Sequence, residues 1–223
     1  MQRLKPQDAK AADTRDALIA AGLKLFGEHG FDGTSTRAIA NEAKVNSAMI
    51  AYYFGSKEGL RQACAEWIVS SIEAVTGSVP VPPPGEMTPD AALAAMEQTL
   101  RAMVSFIIAG DGARPIVGFM MREVLQPSKT LDHIYDGVIR PVHMRMCVLW
   151  GAATGADPES PRTRLAVFTM FGQMLYFRIG REIVVKRMGW EDVTVGEANQ
   201  IGEVLAANLR AIVNDARQQE KQP

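Results

Sequence analysis

Cysteine is nearly absent from this chain of 223 residues, with Cys64 and Cys147 the only two. Two thiols build neither a disulfide framework nor a metal-ligand cluster, and their scarcity fits a reducing compartment. Histidine is also scarce, at His29, His133 and His143. None of the three stands in a spacing that joins a nucleophile to a base. Glycine-rich phosphate loops and metal-ligand spacings are missing too, so catalysis, a metal and a cofactor are not expected. Neither sign of charge is in surplus, since 24 Lys and Arg meet 25 Asp and Glu. That excludes a uniformly basic nucleic-acid binder and leaves room for a local basic face. No run of about 18 uninterrupted apolar residues occurs, so no membrane span is expected. The N-terminal MQRLKPQDAKAADTRDA has no apolar signal core, and a cytoplasmic protein is expected.

What is present is helical periodicity. With 47% hydrophobic and 22% charged residues the chain can bury a core. A first helix is expected from an Asp13 cap to about His29, with Leu18, Ala21, Gly22, Leu25 and Phe26 on one stripe and Gly30 as its stop. Ser35 can cap a second helix, TRAIANEA, about two turns long. After a break at Lys44-Val45, Asn46 can cap a third short helix that runs through Phe54. Ser56 caps a fourth, with Leu60, Cys64, Trp67, Ile68, Ser71 and Ile72 on one side. The segment VPVPPPGEMTP cannot continue it. Further helices are expected over roughly 89–109, 112–126, 131–153, 161–188 and 196–218, punctuated by glycine and proline. The fold class is all-α: an N-terminal three-helix unit, 1–56, and a larger helical body, 57–223.

Two short helices joined by a tight turn behind a longer one form a helix-turn-helix pattern. Ile39, Val45 and Ile50 would seal the pair, and small Ala40 permits close approach. In that motif the second short helix enters the major groove. Residues 43–57 carry Lys44 and Lys57 and no acid, and Arg3, Lys5, Lys10 and Arg37 add cations that can meet phosphates. A compact helical subdomain without nucleic acid would show the same helix pattern.

The stretch STRAIANEAKVNSAMIAYYFGSKEGL resembles the DNA-binding signature of TetR-family transcriptional regulators, approximately T-x-x-x-I-A-x-x-A-G-V-S-x-x-x-x-Y-x-H-F-x-S-K-x-x-L. The likeness covers roughly residues 14–60. It implies an all-α homodimer that binds a palindromic operator and carries a small-molecule pocket in its body. Lys44 stands where the family usually has a turn glycine. Ala51 stands where it usually has a tyrosine, a frequent DNA-contacting position. The stretches MREVLQPS (121–128) and FGQMLYFRIGRE (171–182) look like the CecR-like regulators, some of which respond to antibiotics. The function implied is that of a repressor released from DNA when a small molecule binds.

DNA contacts are expected at Thr36, Arg37, Asn46, Ser47, Ala48, Tyr52 and Lys57. Asn46 and Ser47 offer short donors and acceptors to bases, and Ala48 can touch a thymine methyl; Asn46 could equally serve as a helix cap. Tyr52 is expected to face phosphate, with Tyr53 and Phe54 packed inward. Lys57, with the backbone N–H groups of the fourth helix, would hold a phosphate. A largely apolar ligand is assigned to Met103, Phe106, Phe119, Met120, Arg122, Glu123, Gln173, Tyr176 and Phe177. The polar members could instead form a structural Arg–Glu bridge. A dimer face is assigned to Phe168, Phe171, Leu175, Leu205, Leu209 and Ile212, with intramolecular packing as the alternative. Two other functions compete. An enzyme would need an acid-base cluster in the body, and a thiol sensor would use Cys64 or Cys147, both on apolar faces.

Overall fold

The computed structural model describes residues 6–81, 83, 86–109 and 113–219. The expected basic arm, Arg3 and Lys5 with the Lys10 side chain, lies outside them, as do Pro82, Pro84 and Gly85 of the proline-rich connection. The described residues form helices and turns without strands. The helices are α1 (Pro6–His29), α2 (Thr36–Glu42), α3 (Ala48–Phe54), α4 (Lys57–Gly77), α5 (Pro89–Val104), α6 (Ala113–Leu125), α7 (Lys129–Ile134), α8 (Arg140–Thr154), α9 (Pro161–Ile179), α10 (Arg181–Met188) and α11 (Val195–Gln219). Two π-helical turns, Ser105–Ala109 and Tyr135–Ile139, follow α5 and α7.

Three boundaries differ from the sequence reading for identifiable reasons. Asp13 does not start the first helix. Nothing between Pro6 and Asp13 breaks a helix, and a proline is well tolerated in a first turn, so α1 begins at Pro6. The segment 131–153 is not one regular helix. Pro141 has no N–H to donate to the carbonyl four residues back, and the chain widens into a π turn just before it. The segment 161–188 breaks at Gly180, whose N–H still bonds the Tyr176 carbonyl at 2.7 Å while its own carbonyl accepts from Ile183 and Val184.

Packing divides the chain into two compact units. The first comprises residues up to Ser71 together with Arg114–Gly137. Its core holds Leu18, Ile19, Phe26, Ile39, Ile50, Leu60, Cys64, Ile68, Phe119 and Ile134, all nearly inaccessible to water. Leu60, Cys64, Ile68 and Ile72 bury one side of α4 as the periodicity requires, but Trp67 remains partly exposed. Helices α1 and α6 cross at Gly27 and Gly118. A Cβ on Gly27 would stand 3.0 Å from the Phe119 nitrogen and 3.1 Å from the Gly118 carbonyl carbon, so any larger residue would push the two backbones apart by a few tenths of an ångström. Arg122 then donates to the Gly27 and Glu28 carbonyls at the end of α1, at 3.3 and 2.9 Å. The functional division expected from sequence is contiguous. The packing unit is not, because α6 is built into the unit that holds α1–α3 and α4 as far as Ser71.

The second unit comprises Ile72–Ala113 and the chain from Val138 onward. Here α5 packs on α8 and α11, and α8 on α9. Met96, Leu100, Val104, Met146, Leu149, Val167, Met170, Met174, Leu205, Leu209 and Val213 fill the space between them. The stretch Pro89–Ile108 is long and apolar enough to cross a membrane by length and composition alone. Half of it is buried inside the protein. Arg145 closes the end of α4 by donating to the Thr76 and Val79 carbonyls, each at 2.9 Å.

Candidate nucleic-acid interface

Helices α2 and α3 are each seven residues long, too short to persist alone, and are held by caps and by a small shared core. The Ser35 side chain accepts from the Ala38 N–H at 3.1 Å and fixes the start of α2. Ile39 and Ile50 are fully buried between the helices, and Val45 is half-buried. Lys24 on α1 bonds Glu42 at 2.7 Å and ties down the end of α2. The Lys24 ammonium is held above its ordinary pKa first by that hydrogen bond and then by the Glu42 charge.

The turn into α3 has a specific form. The Val45 N–H bonds the Ala40 carbonyl at 2.9 Å and the Lys44 N–H bonds the Asn41 carbonyl at 3.1 Å. These two bonds make a Schellman motif with Lys44 in the position that favours glycine. Lys44 accordingly adopts φ of 55°, the one non-glycine residue with positive φ among those described. A side chain in this region costs about 1–2 kcal/mol.

Asn46, Ser47 and Ala48 are all exposed at the mouth of α3. Asn46 Oδ1 accepts the Ala48 N–H at 2.9 Å, so this side chain does cap the helix while standing at its exposed end. Tyr52 is 76% exposed. Tyr53 and Phe54 are half-buried. The Tyr52 and Tyr53 rings meet edge to face at 4.9 Å, and Arg15 of α1 lies over Phe54. Gly55, at φ 74°, ends α3. Thr36 is half-buried and Arg37 exposed at the start of α2.

Lys57 is arranged differently from the sequence expectation. Its ammonium donates to the Phe31 and Thr34 carbonyls at 2.9 and 3.0 Å and lies 4.0 Å above the Phe31 ring. The first N–H groups of α4 are used as well. Gly59 N–H bonds Ser56 Oγ at 3.0 Å. The Glu58 carboxylate is held below its ordinary pKa, first by its own backbone N–H and then by the Ser56 hydroxyl. Lys57 is thus a clamp on the α1–α2 turn, and a phosphate would meet only its remaining donor. Carbonyls at a loop end attract an ammonium as phosphate does, and sequence spacing does not distinguish the two.

The nine residues assigned to a ligand are divided between the two units. Phe119, Met120, Arg122 and Glu123 lie on α6 in the first unit, and the other five lie in the second. Phe119 is fully buried, 6.3 Å from the Phe26 ring. Glu123, 3% exposed, accepts both Arg61 Nε and a terminal Arg61 nitrogen, at 2.7 and 2.8 Å, and also the Ser128 hydroxyl at 2.8 Å. An Arg–Glu bridge therefore exists, but its arginine is Arg61 on α4. Arg122 serves the α1 carbonyls instead. In the second unit Met103 is buried and Phe106 sits half-buried in the π turn after α5. Gln173 accepts from Asn208 at 3.1 Å. A slight concavity, with room for little more than a water molecule, is lined by Leu100, Met170, Gln173, Leu205, Leu209 and Ile212.

That lining corrects two dimer assignments. Leu205 and Leu209 are 3% and 1% exposed within a single chain, because the apolar stripe of α11 is spent on α5 and α8. Ile212 is half-buried beside them. Phe168 is 51% exposed, and Phe171 and Leu175 are half-buried. The sequence reading missed Leu165, Tyr176 and Ile179, each more than half exposed on α9. Leu165, Phe168, Gly172, Tyr176 and Ile179 recur at near-heptad spacing, a signal that was available in the sequence.

Both cysteines are buried. Burial pushes the Cys64 thiol far above its ordinary pKa, and burial followed by the Glu159 charge raises that of Cys147. Among the described residues no group of His, Cys, Asp and Glu is placed to hold a metal ion.

Residues 18–64 match the family described as bacterial regulatory proteins, tetR family. Residues 92–215 match the C-terminal domain of the HTH-type transcriptional dual regulator CecR. CecR of Shigella flexneri is 34% identical over 94% of this chain and 95% of its own length. The transcriptional repressor NicS of Pseudomonas putida is 38% identical over 44% of this chain and 42% of its own. Two solved structures share the fold. AibR in complex with isovaleryl coenzyme A and operator DNA aligns with a TM-score of 0.63 at 14% identity, over 86% of this chain and 96% of that one. A transcriptional regulator from Pseudomonas aeruginosa PAO1 aligns with a TM-score of 0.63 at 16% identity, over 97% and 96%.

Proposed function

Because the chain belongs to the TetR family of bacterial transcriptional regulators and carries a CecR-type C-terminal domain, we propose that it is a ligand-responsive repressor. As a homodimer it binds a palindromic operator and leaves it when a small, largely apolar molecule occupies its second unit. The observation that carries this reading is the surface of α3. An acid-free stretch exposes Asn46, Ser47 and Ala48 at the start of a short helix and Tyr52 in its last turn, on a helix held by a buried two-helix core. Asn46, Ser47 and Ala48 read base edges, and Thr36, Arg37, Tyr52 and the remaining donor of Lys57 meet phosphates.

The effector contacts proposed are Met103, Phe106, Gln173, Tyr176 and Phe177, around the π turn and α9, since π turns often mark functional sites. AibR holds both an acyl-coenzyme A and DNA, and the same division of work is proposed here. The dimer face proposed is the exposed stripe of α9, with Leu165, Phe168 and Ile179 about a bare Gly172 that lets two helices approach. Its work is regulatory, in the cytoplasm, with no catalytic step. The relationship to a dual regulator favours a second reading, in which the same dimer activates some promoters.

Selection of bound duplexes from random DNA tests the proposal. An inverted repeat should emerge, with half-sites about one helical turn apart and affinity that falls steeply with salt. Enrichment of no sequence at any salt concentration would remove the reading.

A further inference from the structure

The Schellman turn before α3 contains a conflict. Its geometry asks for glycine, yet a lysine occupies it at φ 55°. A residue that holds an unfavourable backbone conformation points to a function for its side chain, because the fold alone would be better served by glycine. Four observations bear on that function. Lys44 is exposed. It stands two residues before Asn46, at the mouth of the helix whose first residues face bases, where the groove is lined by phosphates on either side. The nearest acid in sequence, Glu42, is already paired with Lys24 at 2.7 Å, and none follows from 43 to 57. Its backbone position is also fixed, since its own N–H and that of Val45 are both bonded to α2 carbonyls. The side chain therefore projects from a fixed point of the backbone.

We propose that Lys44 is a DNA-phosphate contact, made once per half-site at the rim of the major groove by the residue that replaces the turn glycine. The proposal rests on the DNA-binding reading above. A lysine at this position could instead only complement the carbonyl end of α2. The two roles differ in what they do to DNA.

The test uses the full chain and the duplex selected by the wild-type protein. Lys44→Gly and Lys44→Asn remove the charge and leave a residue that tolerates positive φ; Lys44→Arg keeps the charge. Lys44→Gly should raise Tm by about 2–4 °C while weakening binding roughly tenfold at fixed salt. Each lost contact should flatten the slope of log affinity against log salt by about 0.9, hence about 1.8 for two half-sites. Lys44→Asn should flatten it equally, and Lys44→Arg should preserve it. Weakening should be uniform across operator variants, as for a backbone contact. Unchanged affinity and slope in both uncharged variants would overturn the proposal while leaving the DNA-binding reading intact. If the wild-type chain selects no duplex, both fall together.

Discussion

Arg61 on α4 grips Glu123 on α6 with two guanidinium nitrogens, at 2.7 and 2.8 Å, and the same guanidinium lies 4.8 Å from the centre of the Phe31 ring. Phe31 is thus flanked by two cations, Arg61 and Lys57. One aromatic ring in the α1–α2 turn connects the start of α4 to a carboxylate on α6. The turn from which the reading helices depart, and the helix that leads toward the second unit in sequence, share a single polar network.

Breaking that network from one side should cost more than removing it. Glu123→Ala leaves a half-buried guanidinium and the Ser128 hydroxyl without their acceptor, and a loss of about 3 kcal/mol is expected in chemical denaturation. The double variant Arg61→Leu with Glu123→Leu should lose clearly less, since no charge is stranded. Additive losses in a double-mutant cycle would contradict the pairing.

Lys57 and Tyr52 should separate stability from DNA binding. Lys57→Ala strips two carbonyls of a charged donor, and a loss of about 1–3 kcal/mol is expected. Tyr52 is 76% exposed. Tyr52→Phe should leave the denaturation midpoint within about 0.5 kcal/mol of wild type yet weaken operator binding several-fold. A shift in midpoint for Tyr52→Phe, or none for Lys57→Ala, would reverse the roles given to these residues.

The elements were legible because their signals are local. Ser35, Ser56 and the alternation of Leu60, Cys64, Ile68 and Ile72 announce helices through capping and periodicity alone. Partners across space were not. Nothing in MREV says that Arg122 turns to α1 while Glu123 turns to α4, because adjacent residues on a helix face about 100° apart and their partners come from distant segments. The same limit misplaced Leu205 and Leu209. An apolar stripe states that it will be buried, and only the packing of α5 and α8 decides whether another chain is needed. Lys44 lies between these cases. Its departure from the usual glycine was visible in sequence, and the structure adds that the turn kept its glycine geometry anyway.

Neither cysteine should act as a thiol sensor. Both thiols are buried and raised above their ordinary pKa, so the reactive thiolate is suppressed in the folded state. The folded state prefers the protonated form. The stability this contributes is intact below the ordinary thiol pKa and is lost progressively as pH rises above it. A disulfide reagent at pH 8 should label no thiol until denaturant is added, and then both. Stoichiometric labelling of the native protein, with loss of DNA binding, would restore the sensor reading.

Phe168 and Leu209 provide the sharpest test of how the chain dimerises, because both were assigned to the same interface and the structure separates them. Phe168 is 51% exposed on α9, against His143 with ring centres 4.0 Å apart, and a charge placed there remains in water in the monomer. Leu209 is 1% exposed, and a charge there must be buried without a partner. Phe168→Glu should therefore yield a folded monomer, with helical circular dichroism retained, the mass in light scattering halved, and operator affinity reduced by orders of magnitude as the second half-site is lost. Leu209→Glu should fail earlier, with a fall in Tm or insolubility before any change in assembly can be measured. If Phe168→Glu stays dimeric, the α9 stripe is not the interface. Val204, exposed in the middle of α11, would then be the next position to charge.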